Sequence, residues 1–226
     1  MAGLPVSPVN AWNYTSRHNP HDSGPKRIAL SISYRTFIDY LLPVCPGASR
    51  TTRSFSPRPL SLPQVARLLW AAQGISSRDG DRTAPSAGAL YPLELQLVVG
   101  NVEGLPSGSY RYDAMNHTLE AMVPEDLRRT IAEAALHQGW IAQAPAIVIV
   151  SAVESRTTRK YGTRGVRYVH MEVGHASQNL LLQAVALGLS GSVVGAFDDE
   201  RLKRLLQLLV EERPLAILPV GYGRSK

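Results

Sequence analysis

An α+β fold is what this chain predicts, and three observations predict it. Helical and strand-like patterns both occur, but they do not alternate as regular βαβ units. A long helical pattern carries Val169, Val173, Ala176, Leu180, Ala184 and Leu187 on one face, then exits through a glycine-rich turn. The run PAIVIVSAV (145–153) is apolar but for Ser151, which suits a buried strand.

Residues 1–30 are rich in Pro, Asn, His and Ser, show no apolar period and read as an arm. SISYRTFIDYLL (31–42) reads as a short amphipathic helix stopped by Pro43, Pro46 and Gly47. Residues 1–45 are thus expected to form an arm and short helix, and 46–226 the main domain. Ser61 caps a helix that begins near Pro63, turns Val65, Leu68, Leu69 and Ala72 inward, and ends at Gly74. ELQLVVG (94–100) is a strand. Residues 108–122 form a hairpin that turns at Asp113–Asn116, with Tyr110 and Tyr112 on one face. Residues 124–137 read as a helix with acids in its first turn, where they complement the macrodipole. The adjacent Lys160-Tyr161 pair sits in a polar, glycine-containing loop before the long helix. Gly174, Ala176 and Ser177 would let a second backbone approach that helix, so it suits the centre of the fold or a subunit interface. SVVGAF (192–197) is a strand, a helix follows near 199–209, and PLAILPVGY (214–222) is the last strand.

The totals bound the function. The chain has 226 residues, 44% hydrophobic and 19% charged, enough to bury a core. Cys45 is the only cysteine, so no disulfide forms within the chain and a reducing compartment is expected. No secretion signal and no membrane-spanning run is read, which predicts a cytoplasmic protein. The net charge of +6 suits an anionic cofactor or nucleic acid. The arginines are scattered and aromatics are 7%, so no nucleic-acid module is expected.

Five motifs bear on chemistry. Ser49-Arg50-Thr51-Thr52-Arg53 puts forked cationic donors beside hydroxyls, as a phosphate and its polyol tail require. Arg82-Thr83-Ala84-Pro85-Ser86-Ala87-Gly88-Ala89-Leu90-Tyr91-Pro92 is a small-residue segment that a ligand can approach closely. The glycines at 188–195 lead into a strand rather than open a helix, so they form no dinucleotide fingerprint. His170 and His175 lie five residues apart, about 140° around a helix, and do not converge on a metal. Lys160-Tyr161, flanked by Arg159 and Arg164, offers two groups able to move a proton.

Taken in order from Ser49 to Tyr222, SRTTRSF, RTAPSAGALYPLEL, SGSYRYD, the Lys160–Leu189 stretch, VVGAFDD and LAILPVGY resemble the nitroreductase superfamily. The nearer resemblance is to its SagB/ThcOx-type dehydrogenases. It implies a nitroreductase-like α+β fold, with a central mixed or antiparallel sheet flanked by helices, in a homodimer that binds FMN between chains. It also implies that Arg50, Thr51 and Arg53 hold the phosphate and ribityl chain. Pro85, Ser86, Ala87 and Ala89 would come from the other subunit, and Val194, Gly195 and Ala196 would pass near the isoalloxazine. Lys160 and Tyr161 match the catalytic pair of azoline oxidases, so the substrate would be a small molecule or peptide-derived. Ala89 stands where many relatives have Asn, and Ser190 where Gly is usual. Arg224 or Lys226 would supply a distal cation for the phosphate. A non-catalytic flavin-binding or storage module of the same fold is the alternative.

Overall fold

A computed structural model describes residues 26–30 and 49–224. The helix expected at 31–42, its stop, Cys45, Lys226 and most of the N-terminal arm lie outside the described residues.

The strands are β1 (Arg27–Ala29), β2 (Leu60–Ser61), β3 (Leu93–Val99), β4 (Val102–Glu103), β5 (Gly108–Asp113), β6 (Thr118–Val123), β7 (Ala146–Ala152), β8 (Ser190–Gly191) and β9 (Arg213–Gly221). The helices are α1 (Leu62–Gln73), α2 (Arg128–Ala134), α3 (Ser155–Tyr161), α4 (Arg164–Ala186) and α5 (Asp199–Leu205). Seven strands form one sheet in the order β1-β6-β5-β3-β7-β9-β8. All six neighbouring pairs are antiparallel. β2 and β4 make a separate parallel pair.

Side-chain alternation along the central strands builds two cores, one on each face. Leu93, Leu95 and Leu97 of β3 and Val148 and Val150 of β7 pack with Val65 and Leu69 of α1 and Val169, Ala176 and Leu180 of α4. Val98, Ile147, Ile149 and Ile217 point the other way, against Ile131 of α2 and Leu202 of α5. β7 is apolar but for Ser151, and it is buried along its whole length because it is covered on both faces.

The expected long helix is α4, and its apolar stripe is the buried one. α1 begins at a capping box: Gln64 N–H donates to Ser61 Oγ (3.4 Å), and Ser61 N–H donates to Gln64 Oε1 (3.0 Å). It ends at Gly74, where a Cβ would stand 2.1 Å from the Trp70 ring. The hairpin turns where expected, with Asp113 Oδ1 accepting from the N–H of Met115 and Asn116.

Four expectations need correction. Residues 27–29 are not free arm but the edge strand of the sheet, paired with β6. α2 starts at Arg128, not at 124: Asp126 Oδ1 accepts the Arg128 N–H (3.1 Å) and its carboxylate also takes the guanidinium. It stops before Leu136 and His137, both at positive φ. Lys160 and Tyr161 are not in a loop but end the short helix α3. SVVGAF is not a full strand. Only Ser190–Gly191 ladder with β9, and Val194 rejoins it by a single bridge to Ile217.

Candidate active site

The first group of site residues gathers around β8. The segment after Arg50 is pinned on both sides. Thr52 N–H donates to Gly191 O (3.2 Å), and Ser192 Oγ donates to Thr52 O (2.6 Å). Ser56 N–H donates to Tyr222 O (2.7 Å), and Arg224 N–H donates to Ser54 O (3.1 Å). The backbone of 51–56 is therefore fixed, with Thr51, Arg53 and Ser54 exposed and Phe55 buried. Arg50 is exposed, its Nη1 donates to Ser49 O (3.0 Å), and its carbonyl accepts from Thr52 Oγ1 (3.4 Å). Thr51 is exposed, and Arg53 lies 5.9 Å from the centre of the Trp140 ring. Trp140 in turn stacks on Phe55, with ring centres 6.5 Å apart.

Val194 joins this group by its position but spends its backbone on β9. Its N–H donates to Ile217 O (2.8 Å), and Ile217 N–H donates back to Val194 O (2.9 Å). Gly195 and Ala196 are exposed, and a Cβ on Gly195 would meet nothing within 4 Å. Gln138 Nε2 donates to Ala196 O (3.3 Å). Arg50, Thr51, Arg53, Gly195, Ala196 and Arg224 thus border one open, cationic surface.

The second group gathers where α3 meets the start of α4. Residues 82–92 fold over the α3 C-terminus, with a 3₁₀ turn at Ala87–Ala89. A Cβ added to Gly88 would lie 2.7 Å from Tyr161 Oη and 2.9 Å from Lys160 Nζ. Both functional atoms therefore abut this one backbone position. The Tyr161 ring meets Tyr168 edge-on, with centres 5.2 Å apart, and Lys160 Nζ sits 5.4 Å from the Tyr161 ring. Pro85 and Ala89 are exposed on the outside of the turn, with Ala87 partly so.

Ser86 is engaged inside the chain. Its Oγ accepts from Tyr91 N–H (2.9 Å). Glu172, 2% exposed on α4, lies near Ser86, Arg82 and Gln73, and its Oε1 has no hydrogen-bond partner among the described residues. Burial raises the Glu172 pKa to about 6, against the opposing pull of Ser86, Arg82 and Gln73. Arg82 Nη1 donates to Gln73 Oε1 (2.9 Å), and its guanidinium lies 5.0 Å from the Tyr91 ring. Arg156 donates to Tyr91 O (3.1 Å) and pairs with Glu94 (2.6 Å).

Among the described residues no hydrogen bond joins the two groups. They lie toward opposite ends of α4: Gly191 packs on Leu181, and Tyr161 precedes the helix. From Arg164 to Leu181 the helix rises about 25 Å.

Glu172, Gln73, Gln138 and Trp140 were not singled out in the sequence. Glu172 had a signal, since it shares the apolar face of Val169, Val173 and Ala176. His170 and His175 are both exposed on α4. No cluster of three or more His, Cys, Asp or Glu side chains fit for a metal occurs among the described residues. No helix among them is long and apolar enough to cross a membrane.

Comparison with known proteins agrees with this architecture. The nitroreductase family model matches residues 48–222. A nitroreductase-type protein of Methanocaldococcus jannaschii is 44% identical over 172 residues, 76% of this chain and 86% of its own. The microcin B17-processing protein McbC of Escherichia coli is 27% identical over 173 residues, 72% of this chain and 61% of McbC. Among solved structures, a nitroreductase-type protein of Ralstonia eutropha superposes with a TM-score of 0.76 at 26% identity, covering 88% of this chain and 90% of that one. A chain of the E. coli microcin synthetase McbBCD complex superposes with a TM-score of 0.67 at 25% identity, covering 95% and 80%. With a matching family model over most of its length and a sheet and helices in the same arrangement, the chain belongs to the nitroreductase family and is an oxidoreductase.

Proposed function

We propose that the protein is an FMN-dependent dehydrogenase of the SagB type, working as a homodimer on a small or peptide-derived substrate. The observation that carries this reading is the placement of Lys160 Nζ and Tyr161 Oη against the Gly88 turn. Two proton-carrying groups are held side by side at the backbone of a segment whose outer face is open.

The residues present fit FMN. Arg50, Thr51, Arg53 and Arg224 form a donor set suited to a phosphate and a polyol. Gly195 and Ala196 leave open backbone beside them, as a flat ring system needs. One chain keeps this group apart from the 85–89 turn, so a site made of both takes one group from each of two chains. The exposed small residue Gly174 on α4 is compatible with a close helix approach across that interface.

FMN, when bound, supplies the acceptor for a hydride. The chain's own residues do the rest. Arg50 and Arg53 bind, the Ser86–Tyr91 turn orients, and Lys160 and Tyr161 hold or move the proton. Oxidation of an azoline ring to an azole removes one hydride and one proton from the ring. A base must therefore stand beside the acceptor, and the Lys160-Tyr161 pair is the candidate. The similarity to McbC supports a substrate of this peptide-derived class.

Purified protein tests the reading. Flavin absorbance should survive gel filtration, and light scattering should return twice the chain mass at micromolar concentration. Interfaces of this kind bury more than roughly 2,000 Å². Protein that stays colourless after incubation with excess FMN refutes the cofactor. Bound flavin that no donor or substrate reduces would favour the storage module.

A further inference from the structure

We propose that Arg156 is a positioning residue: by bonding the Tyr91 carbonyl and the Glu94 carboxylate at once, it clamps α3 along the 88–94 segment and so sets Lys160 and Tyr161 against Gly88. This deepens the dehydrogenase reading and rests on it for its catalytic consequence only.

α3 has little of its own to fix its direction. It is seven residues long, has no side-chain cap at its start and buries only Thr157. A helix this short takes its orientation from what it touches. On one side it touches α4, where a Cβ on Gly165 would lie 2.9 Å from Thr158 Cα. Val153 N–H donates to Pro92 O (2.9 Å), which fixes where the chain leaves β7 but not how the helix is turned. Arg156 supplies the missing constraint. Its Nη1 donates to Tyr91 O (3.1 Å), and its Nη2 pairs with Glu94 Oε1 (2.6 Å). Lys160 follows four residues later, so the two cations share one face of α3. That face meets Tyr91 and Glu94 at one end and Gly88 at the other, where a Cβ would lie 2.9 Å from Lys160 Nζ.

Both jaws of the clamp are firm. Gly88 (φ 64°), Ala89 (φ 54°) and Tyr91 (φ 44°) have left-handed backbone, which at the two non-glycine positions persists only where the surroundings impose it. Tyr91 N–H donates to Ser86 Oγ (2.9 Å) and Tyr91 O takes Arg156, so both backbone polar groups of this strained residue are used. Glu94 is held from behind. Its Oε2 lies 3.8 Å from Arg111 Nη1, and Arg111 forks onto Glu212 with bonds of 2.9 and 2.7 Å. The Glu212 side chain is 0% exposed and also accepts from Leu209 N–H (2.9 Å). A line of charges thus runs from the interior of the sheet to α3. A guanidinium suits its last position because one planar fork reaches two acceptors at once, whereas an ammonium is a point donor. The Arg156 and Glu94 side chains are 40% and 21% exposed, and a pair that open adds little to stability. What Arg156 contributes is placement.

Nuclear magnetic resonance on the full chain, free of cofactor, tests this. The chain has four lysines, so 13C at lysine Cε gives four signals, and Lys160→Arg assigns the one of interest. In the parent, the Lys160 Hε protons should show a nuclear Overhauser effect to the Gly88 Hα protons. Arg156→Ala should lose it and move the Lys160 signal to the position of a free lysine, with Tm lowered by no more than a few degrees. Arg156→Lys and Glu94→Gln each leave one jaw of the clamp and should keep part of the effect. Arg201→Ala breaks a comparably exposed pair, Arg201–Glu133 (2.8 Å), and should leave it intact. A parent-like effect in Arg156→Ala, or an equal loss in Arg201→Ala, overturns the proposal. Should Arg156→Ala fail to fold, Glu94→Gln decides it, and a parent-like effect there overturns it. Because the readout needs no flavin, a displaced Lys160 in a protein that never takes up FMN would sink the dehydrogenase reading and leave this inference standing.

Discussion

The two halves of the candidate site are built in opposite ways. Around β8, the backbone is pinned by hydrogen bonds while Arg50, Thr51 and Arg53 project into solvent. Around Gly88, the side chains themselves are committed: Ser86 to Tyr91, Arg82 to Gln73, Arg156 to Glu94. The first half is a surface whose donors await a partner. The second is organised before any ligand arrives, and it keeps a strained backbone to do so. Binding tolerates the first arrangement, because flexible cations can adapt to an anion. Proton transfer needs the second, because rate depends on fixed distance.

Four measurements can break or sharpen this contrast. The largest effect is expected at the proton-carrying pair. Lys160→Ala or Tyr161→Phe should slow substrate-driven flavin reduction by about 10²–10⁴-fold with FMN still bound. Anaerobic stopped flow measures this, and parent-like rates in both variants would place the base elsewhere. Gly88→Ala comes next. Its methyl would stand 2.7 Å from Tyr161 Oη and 2.9 Å from Lys160 Nζ, so the pair must shift. Turnover should fall by up to about 10²-fold, again without loss of cofactor.

The open half should respond in affinity instead. Arg50→Ala and Arg53→Ala each remove a charge-assisted contact worth about 1.5–3 kcal/mol, roughly 10- to 150-fold in FMN affinity. Flavin titration measures it. Unchanged affinity in both would assign 49–53 to an ordinary solvated loop and erase the contrast.

The smallest effect concerns stability. Glu172 binds its proton more tightly in the folded chain than in the unfolded one, where its pKa is ordinary. Its contribution to stability is therefore present in acid and is lost as pH rises through about 6. Glu172→Gln should remove that decline, so its Tm should exceed the parent's by a few degrees above pH 6. A parent-like Tm in Glu172→Gln across this range would show that the Glu172 proton is not coupled to folding.

The elements that bury most were the ones legible in the sequence. α4 and β7 declare themselves because their apolar periods match what covers them, and α1 because its capping box is local chemistry. α3 was hidden because SRTTRKY buries only Thr157, so no apolar period marks it. Packing against α4 forms it: a Cβ on Gly165 would lie 2.9 Å from Thr158 Cα. β1 was hidden because three residues are too few to show alternation. α2 was drawn too long because Asp126 looks like a first-turn acid, yet it serves Arg128 from outside the helix. At the site, the Arg50–Arg53 and Lys160–Tyr161 segments stood out by residue type. Glu172 did not, because it was read within the His170–His175 pattern rather than as a carboxylate facing the core. Trp140 and Gln138 reach the site only through the fold, across more than fifty residues from Ala196 or Arg53, and no local signal marks them.

The strands of chain that pin Arg50–Arg53 also set an order of events. The Thr52–Ser56 backbone is completed by Gly191, Ser192, Tyr222 and Arg224, all from the far end of the described sequence. On the ribosome, residues 50–53 emerge early and must wait for those partners. The cationic surface is therefore finished only after β9 has left the ribosome, so the half near β8 is assembled late in the order in which these segments appear. A chain arrested before β9 would carry both arginines and still lack the frame that aims them.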